Sequence, residues 1–151
     1  MRFKPVPEPP ADLAAVATVR AAVPEHPDEG IDCCTWLIDR THLEERDEAA
    51  DWLTFLRALE LARDDPDGFT QTTRAIDLES LRTAFRERVV GVEAILETLE
   101  AADRPLEPAD VCNRVRTRAS GEEALERTER LLEWAALLEF VAVDADRYRL
   151  R

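Results

Sequence analysis

The two halves of this 151-residue chain align on each other at a constant offset of 79 residues, without a gap. Cys33 falls on Cys112, Thr41 on Ser120, Glu44 on Glu123, Leu53 on Leu132, Phe55 on Trp134, Leu59 on Leu138 and Glu60 on Glu139. The register continues with Leu61 on Phe140, Asp65 and Asp67 on Asp144 and Asp146, and Phe69 on Tyr148. Overall identity is low, and the matches cluster in one long helix and the segment after it. Self-similarity at a fixed period marks one supersecondary unit used twice. By shared ancestry or by convergence, the chain reads as two copies of helix, helix, turn, long helix, hairpin.

Local signals fill in that plan. Residues 1–10 hold four of the nine prolines and should run extended, because proline fixes φ and removes a donor; Phe3 and Val6 are placed to dock on a core edge. Leu13, Val16, Val19 and Val23 recur at helical spacing over 11–23, and Pro24 and Pro27 end that helix. A second helix fits 28–39, with Ile31, Cys34 or Thr35, and Ile38 inward. Thr41 with Glu44 has capping-box spacing and opens a third helix to about Leu61, with Trp52, Leu53, Leu56 and Leu59 inward. Asp64-Asp65-Pro66-Asp67-Gly68 is turn chemistry, and a short strand, Phe69 to Thr72, follows it. In the second half, Pro105 and Pro108 bracket an extended Leu106. A helix over 108–118 turns Val111, Cys112 and Val115 inward. Ser120 and Glu123 form a second capping box for a helix carrying Leu125, Leu131, Leu132, Ala135 and Leu138. Residues 140–150 read as a hairpin with an acidic turn.

Between the copies, 77–102 reads as one long helix. Leu78, Leu81, Phe85, Val92, Ile95 and Leu99 lie close to an a/d seam, interrupted by Arg88. That seam either packs within the chain, which is favoured, or pairs with its twin in a dimer. The domain reading is an extended arm (1–10), a first unit (11–72), a linker with the start of the long helix (73–90), and a second unit (91–151).

Three helices closed by a β-hairpin resemble the winged-helix fold. The residues that carry the resemblance are Pro105-Leu106-Glu107-Pro108, Ser120-Gly121-Glu122-Glu123, the run from Leu137 to Leu150, and in the first half Ala58 to Thr72. The resemblance covers 11–72 and 85–150. It implies a mainly α fold with short β-hairpins (α+β), as two winged-helix-like units in tandem joined by a long helix. A plain helical bundle is the competing architecture. Fold of this kind does not specify function. The chain also resembles a haloarchaeal family to which no activity attaches.

Composition agrees with that source. Asp and Glu number 33 against 20 Lys and Arg, for a net charge of −13, and Lys4 is the only lysine. Such acid excess is similar to the proteome signature of halophilic archaea, where carboxylate surfaces maintain solubility. The 45% of apolar residues is enough for a core. No apolar run approaches the ~20 residues of a membrane span, and a signal-peptide stretch is missing. The expectation is a cytoplasmic protein with no membrane partner.

Chemistry-bearing constellations are sparse. Cys33, Cys34 and Cys112 are an odd set with no Cys-x-x-Cys, and His26 and His42 flank the pair irregularly, so no zinc pattern arises. A nucleophilic pairing of Cys33 or Cys34 with His42 is conceivable, but buried thiols acting as small hydrophobes are favoured. No phosphate loop or Gly-x-Ser-x-Gly occurs. The reading is non-enzymatic, without cofactor or metal.

Winged helices often read DNA through the third helix. Here that helix begins with His42, Glu44, Glu45, Arg46 and Glu48 in the first unit, and Glu122, Glu123, Glu126, Arg127 and Arg130 in the second. Carboxylates there repel phosphate and forgo counterion release, although molar salt screens that repulsion to about 3 Å. Arg114, Arg116 and Arg118 spread over a helix surface. Arg147, Arg149 and Arg151 alternate along a strand and share one face. Their favoured role is neutralising nearby carboxylates such as Glu139 and Asp146. The leading expectation is therefore an interaction protein acting through protein surfaces, its partner another protein or a second copy paired through 77–102. The alternative is a DNA-binding transcriptional regulator using the second unit's wing and third helix, with Arg114, Arg127, Arg130, Arg147 and Arg149 as candidate contacts.

Overall fold

In a computed structural model, residues 6–25, 32–65, 68–115 and 122–151 are described. Seven helices and two antiparallel hairpins lie among them. In order they are α1 (Leu13–Ala21), α2 (Cys33–Arg40), α3 (Arg46–Ala58), β1 (Ala62–Asp65), β2 (Gly68–Gln71), α4 (Leu78–Arg88), α5 (Val92–Ala101), α6 (Pro108–Arg114), α7 (Glu122–Leu137), β3 (Val141–Asp144) and β4 (Arg147–Leu150). They form two compact units: residues 10–88, and residues 89–151 together with 6–9.

In the N-terminal unit, Asp12 caps α1 by accepting from the Ala15 amide at 3.0 Å, and Val16 and Val19 are buried. Asp32 caps α2 through the amides of Cys34 and Thr35. Leu37 is the buried residue of this helix and the expected inward Ile38 is half-buried; Ile31 lies outside the described residues. The capping box at Thr41 and Glu44 does not form. Thr41 ends α2, where its hydroxyl donates to the Leu37 carbonyl at 2.7 Å and accepts from the Leu43 amide. Leu43 is buried, and that anchor delays α3 until Arg46. Glu48 then reaches back to the Glu44 amide. Trp52, Leu53, Phe55, Leu56 and Leu59 fill the core. Asp64 and Asp65, read above as turn residues, are strand residues of β1, paired with Phe69 and Gly68.

The C-terminal unit repeats this plan. Strands β1 and β2 recur as β3 and β4 at the same 79-residue offset, and Val92, the first residue of α5, corresponds to Leu13 of α1. Tyr148 also pairs with Leu106 (N–O distances 2.9 and 2.7 Å), which adds a one-residue strand between the two flanking prolines. On α7, Leu131, Leu132, Trp134 and Ala135 are buried, as is Leu138 just beyond it. Leu125, expected inward, is half-buried, because Ala124 and Thr128 occupy the inner stripe one position away. Ser120, the residue expected to cap α7, lies outside the described residues.

Both third helices end alike. The Glu60 amide donates to the Arg57 carbonyl and the Leu61 amide to Leu56; in the other unit Glu139 donates to Ala136 and Phe140 to Ala135. This is a Schellman arrangement. Its left-handed residue, usually glycine, is here glutamate in both copies, at φ 64° and 62°. A left-handed non-glycine residue costs roughly 1–2 kcal/mol. Glu139→Gly is therefore expected to raise stability by about 1 kcal/mol, less the exposed Arg151 pair at 3.2 Å. A urea midpoint that falls would refute it.

The single helix expected over 77–102 is two helices. Val89, Val90 and Gly91 separate α4 from α5, and Gly91 stands at φ 97°, which a right-handed helix excludes. Arg88, which interrupts the seam, has a structural use. Its Nε donates to the Ala58 carbonyl at 3.1 Å and its guanidinium pairs with Glu60 at 3.0 Å, so it satisfies the end of α3. Arg74 pairs with the same carboxylate.

Candidate interaction surfaces on the third helices and wings

A winged helix offers partners the solvent face of its third helix and the hairpin beside it. On α3 that face shows exposed Arg46, Asp47 and Glu48, and the preceding Glu44 and Glu45 are also exposed. Arg46 is matched by Asp32 at 2.6 Å, and this pairing holds the Asp32 carboxyl below its usual range. On α7 the exposed residues are Glu122, Glu123, Glu126, Glu129 and Glu133. Burial, then the Glu8 and Glu129 carboxylates, push the Glu133 carboxyl upward, so negative charge is crowded on this face.

The candidate cations have mixed placements. Arg130 donates to the Val6 carbonyl at 2.8 Å and pairs with Glu126 at 3.1 Å. Arg127 lies beside Gly91, and burial pulls its pKa down. Arg147 on the second wing lies 3.6 Å from Glu107, and Arg151 lies 3.2 Å from Glu139. Arg149 is exposed on β4 and Arg114 is exposed at the end of α6. Arg116 and Arg118 lie outside the described residues. The structure thus brings Arg147 and Arg149 onto one strand, while Arg127 and Arg130 point into intramolecular work.

Of the seam residues, Leu81, Phe85, Val92, Ile95 and Leu99 are buried and Leu78, at the start of α4, is half-buried. Phe85 stacks edge-on against Phe55, with centroids 6.3 Å apart. The two large apolar side chains that are mainly exposed among the described residues are Val90 (57%) and Val143 (52%).

Two of the thiols are occupied or held neutral. Cys33 Sγ accepts from the Phe69 amide at 3.4 Å and donates to the Phe69 carbonyl at 3.8 Å, which ties α2 to β2. Burial raises the Cys34 thiol, and a thiol so raised is a poor nucleophile. His42 is exposed, and His26 lies outside the described residues. Among the described residues no three His, Cys, Asp or Glu side chains are grouped to hold a metal ion, and no helix is long and apolar enough to cross a membrane.

The arm at the N-terminus has a partner that its sequence does not name. Val6, expected at a core edge, is 3% exposed, and the buried Trp134 indole donates to the Pro7 carbonyl at 2.8 Å. An apolar residue in a proline-rich segment signals docking, but nothing in the spacing points to Trp134.

No curated protein and no solved structure matches the chain. One family model does, over residues 1–151, and its description is halobacterial double winged helix domain.

Proposed function

We propose that this chain, which belongs to the halobacterial double winged helix family, is a non-enzymatic regulator that binds macromolecules through protein surfaces. Winged-helix domains take macromolecular partners, either nucleic acid or protein. The observation that carries the protein reading is the charge on the two third helices. The surface that would enter a DNA groove presents Asp47 and Glu48 in one unit and Glu122, Glu123, Glu126 and Glu129 in the other. Three of the cations beside it are engaged within the chain: Arg46 by Asp32, Arg130 by Val6 and Glu126, and Arg147 by Glu107. A phosphate that meets carboxylates and already paired arginines yields less of the counterion release that drives most non-specific affinity. In molar salt, exposed carboxylates are screened within about 3 Å, so a protein partner can approach this face without large long-range repulsion.

The test is fluorescence anisotropy of a labelled DNA duplex over a KCl series from about 0.1 M to molar concentrations. No retention is expected at any salt, for the native chain or for an Arg147→Ala/Arg149→Ala variant. Retention by the native chain that weakens in the double variant would replace this reading with a DNA-binding regulator using the second wing.

A further inference from the structure

Each third helix carries an aromatic that is met by a lead-in segment, in the same register. Phe55 of α3 stacks against Phe85. At the equivalent place, Trp134 of α7 holds the Pro7 carbonyl, next to the buried Val6. Val6 and Phe85 are themselves 79 residues apart, and a glutamate stands two residues after each, at Glu8 and Glu87. The helix positions near the two aromatics differ in charge. They are Ala50 and Thr54 on α3, and Glu129 and Glu133 on α7. The same lead-in glutamate is thus matched with neutral side chains in one copy and with two carboxylates in the other.

Residues 6–9 belong to the same compact unit as α7. Three contacts hold them: Arg130 on the Val6 carbonyl, Trp134 on the Pro7 carbonyl, and burial of the Val6 side chain. Charge works against these contacts. The bond to Trp134 fixes the peptide that joins Pro7 to Glu8, and Glu133 directly precedes Trp134, so Glu8 is brought near Glu133. Glu129 lies one helical turn before Glu133, on the same face. All three glutamates are exposed. Burial, then Glu8 and Glu129, shift the Glu133 carboxyl upward. From the hairpin side, burial, then Glu133, Asp146 and Glu129, raise the Tyr148 phenol. Arg130 counters this crowding, but it divides its guanidinium between Glu126 and the Val6 carbonyl.

We propose that residues 6–9 are a latch on α7 whose closure is graded by salt: Glu8, Glu129 and Glu133 push it open, and screening of those carboxylates lets Val6, Arg130 and Trp134 hold it shut. The closing contacts are apolar burial and hydrogen bonds to neutral carbonyls, which change little with ionic strength. The opening force is repulsion between exposed charges, which changes greatly. At about 0.1 M salt the Debye length is about 10 Å, longer than the roughly 5–6 Å between neighbours on a helix face, so the repulsion is felt. At molar salt the Debye length is about 3 Å and the repulsion is screened. Opening uncovers Val6 and the Trp134 indole, so the latch sets how much apolar surface this unit shows. The proposal goes beyond the protein-surface reading and fails separately from it, since retention of DNA would leave the latch standing.

Hydrogen exchange followed by NMR on the whole chain tests it, at fixed pH, with KCl lowered from molar to about 0.1 M. The reporter is the Trp134 indole proton, identified by its loss in Trp134→Phe and referred to free tryptophan in the same buffer. Its protection is expected to fall a few-fold as salt is lowered. The amides of Leu106 and Tyr148, which bond to each other's carbonyls in the same unit, are expected to keep theirs, so that release of the arm is told apart from unfolding of the unit. Glu8→Gln changes only an exposed side chain of the arm and is expected to flatten the salt dependence at the indole. Indole protection that does not vary with salt overturns the proposal. So does a salt dependence that Glu8→Gln leaves unchanged, because the repulsion then does not involve the arm. Parallel loss of protection at Leu106 and Tyr148 overturns it too, because the whole unit then opens and the arm is no separate latch.

Discussion

Replacing Trp134 with Ala is expected to lower stability by about 3–5 kcal/mol, the usual range for a large aromatic removed from a core. Three losses coincide at this position. The indole has no exposed surface, so its whole transfer free energy is forfeited. A cavity is left on the flank of α7 where the arm docks. The hydrogen bond from Nε1 to the Pro7 carbonyl disappears as well, worth about 0.5–1.5 kcal/mol net. Against a total stability of roughly 5–15 kcal/mol, the variant should lose a large share of what holds the unit folded. Trp134→Phe separates the terms: most of the volume remains while the bond is lost, so a cost of about 1–2 kcal/mol is expected. Urea unfolding followed by circular dichroism measures both. If Trp134→Ala cost less than Trp134→Phe, the indole would not be the keystone of this unit.

Gly91 governs the second large effect. Its φ of 97° lies where L side chains are strained, and a Cβ there would sit 3.1 Å from Arg127 Nη1 and 3.6 Å from Leu131 Cδ1. The guanidinium is the far end of a flexible chain and can shift, so the backbone carries most of the penalty. About 1–2 kcal/mol is expected for Gly91→Ala, and about 2–3 kcal/mol for the β-branched Gly91→Val. Alanine also raises the preference for continuous helix by about 1 kcal/mol over glycine, which pulls 78–101 toward an uninterrupted form. Thermal unfolding should show both variants melting earlier than the native chain, with Val below Ala. Equal melting temperatures for all three would mean that position 91 tolerates a right-handed conformation and that the break between α4 and α5 has another origin.

Much of this architecture is legible in the residues alone. The offset of 79 carries the hairpins, the third helices and even the glutamates at both helix ends. Side-chain period and turn chemistry are local signals that survive in a sequence. Period identifies buried residues well: Trp52, Leu53, Leu56 and Leu59 in one unit, and Leu131, Leu132, Ala135 and Leu138 in the other. It fails where two local rules compete. Asp32 and Leu43 together override the capping box at Thr41, because a buried leucine anchors the chain more firmly than one exposed cap bond. The seam from Leu78 to Leu99 keeps its spacing across a break, since spacing reports which side chains turn inward and is silent about what they meet.

Of the candidate contacts, the residues supply the list and the fold assigns the duties. Arg130 and Arg127 read as surface cations on a recognition helix, and prove to be a clasp on the arm and a neighbour of Gly91. Local order in this chain follows from interactions between residues a few positions apart, which is why helices, hairpins and the doubling can be read directly. Which segment covers which aromatic depends on contacts between residues 124 and 127 positions apart. Such pairings leave no periodic trace, because their free energy is settled only when the whole unit has closed.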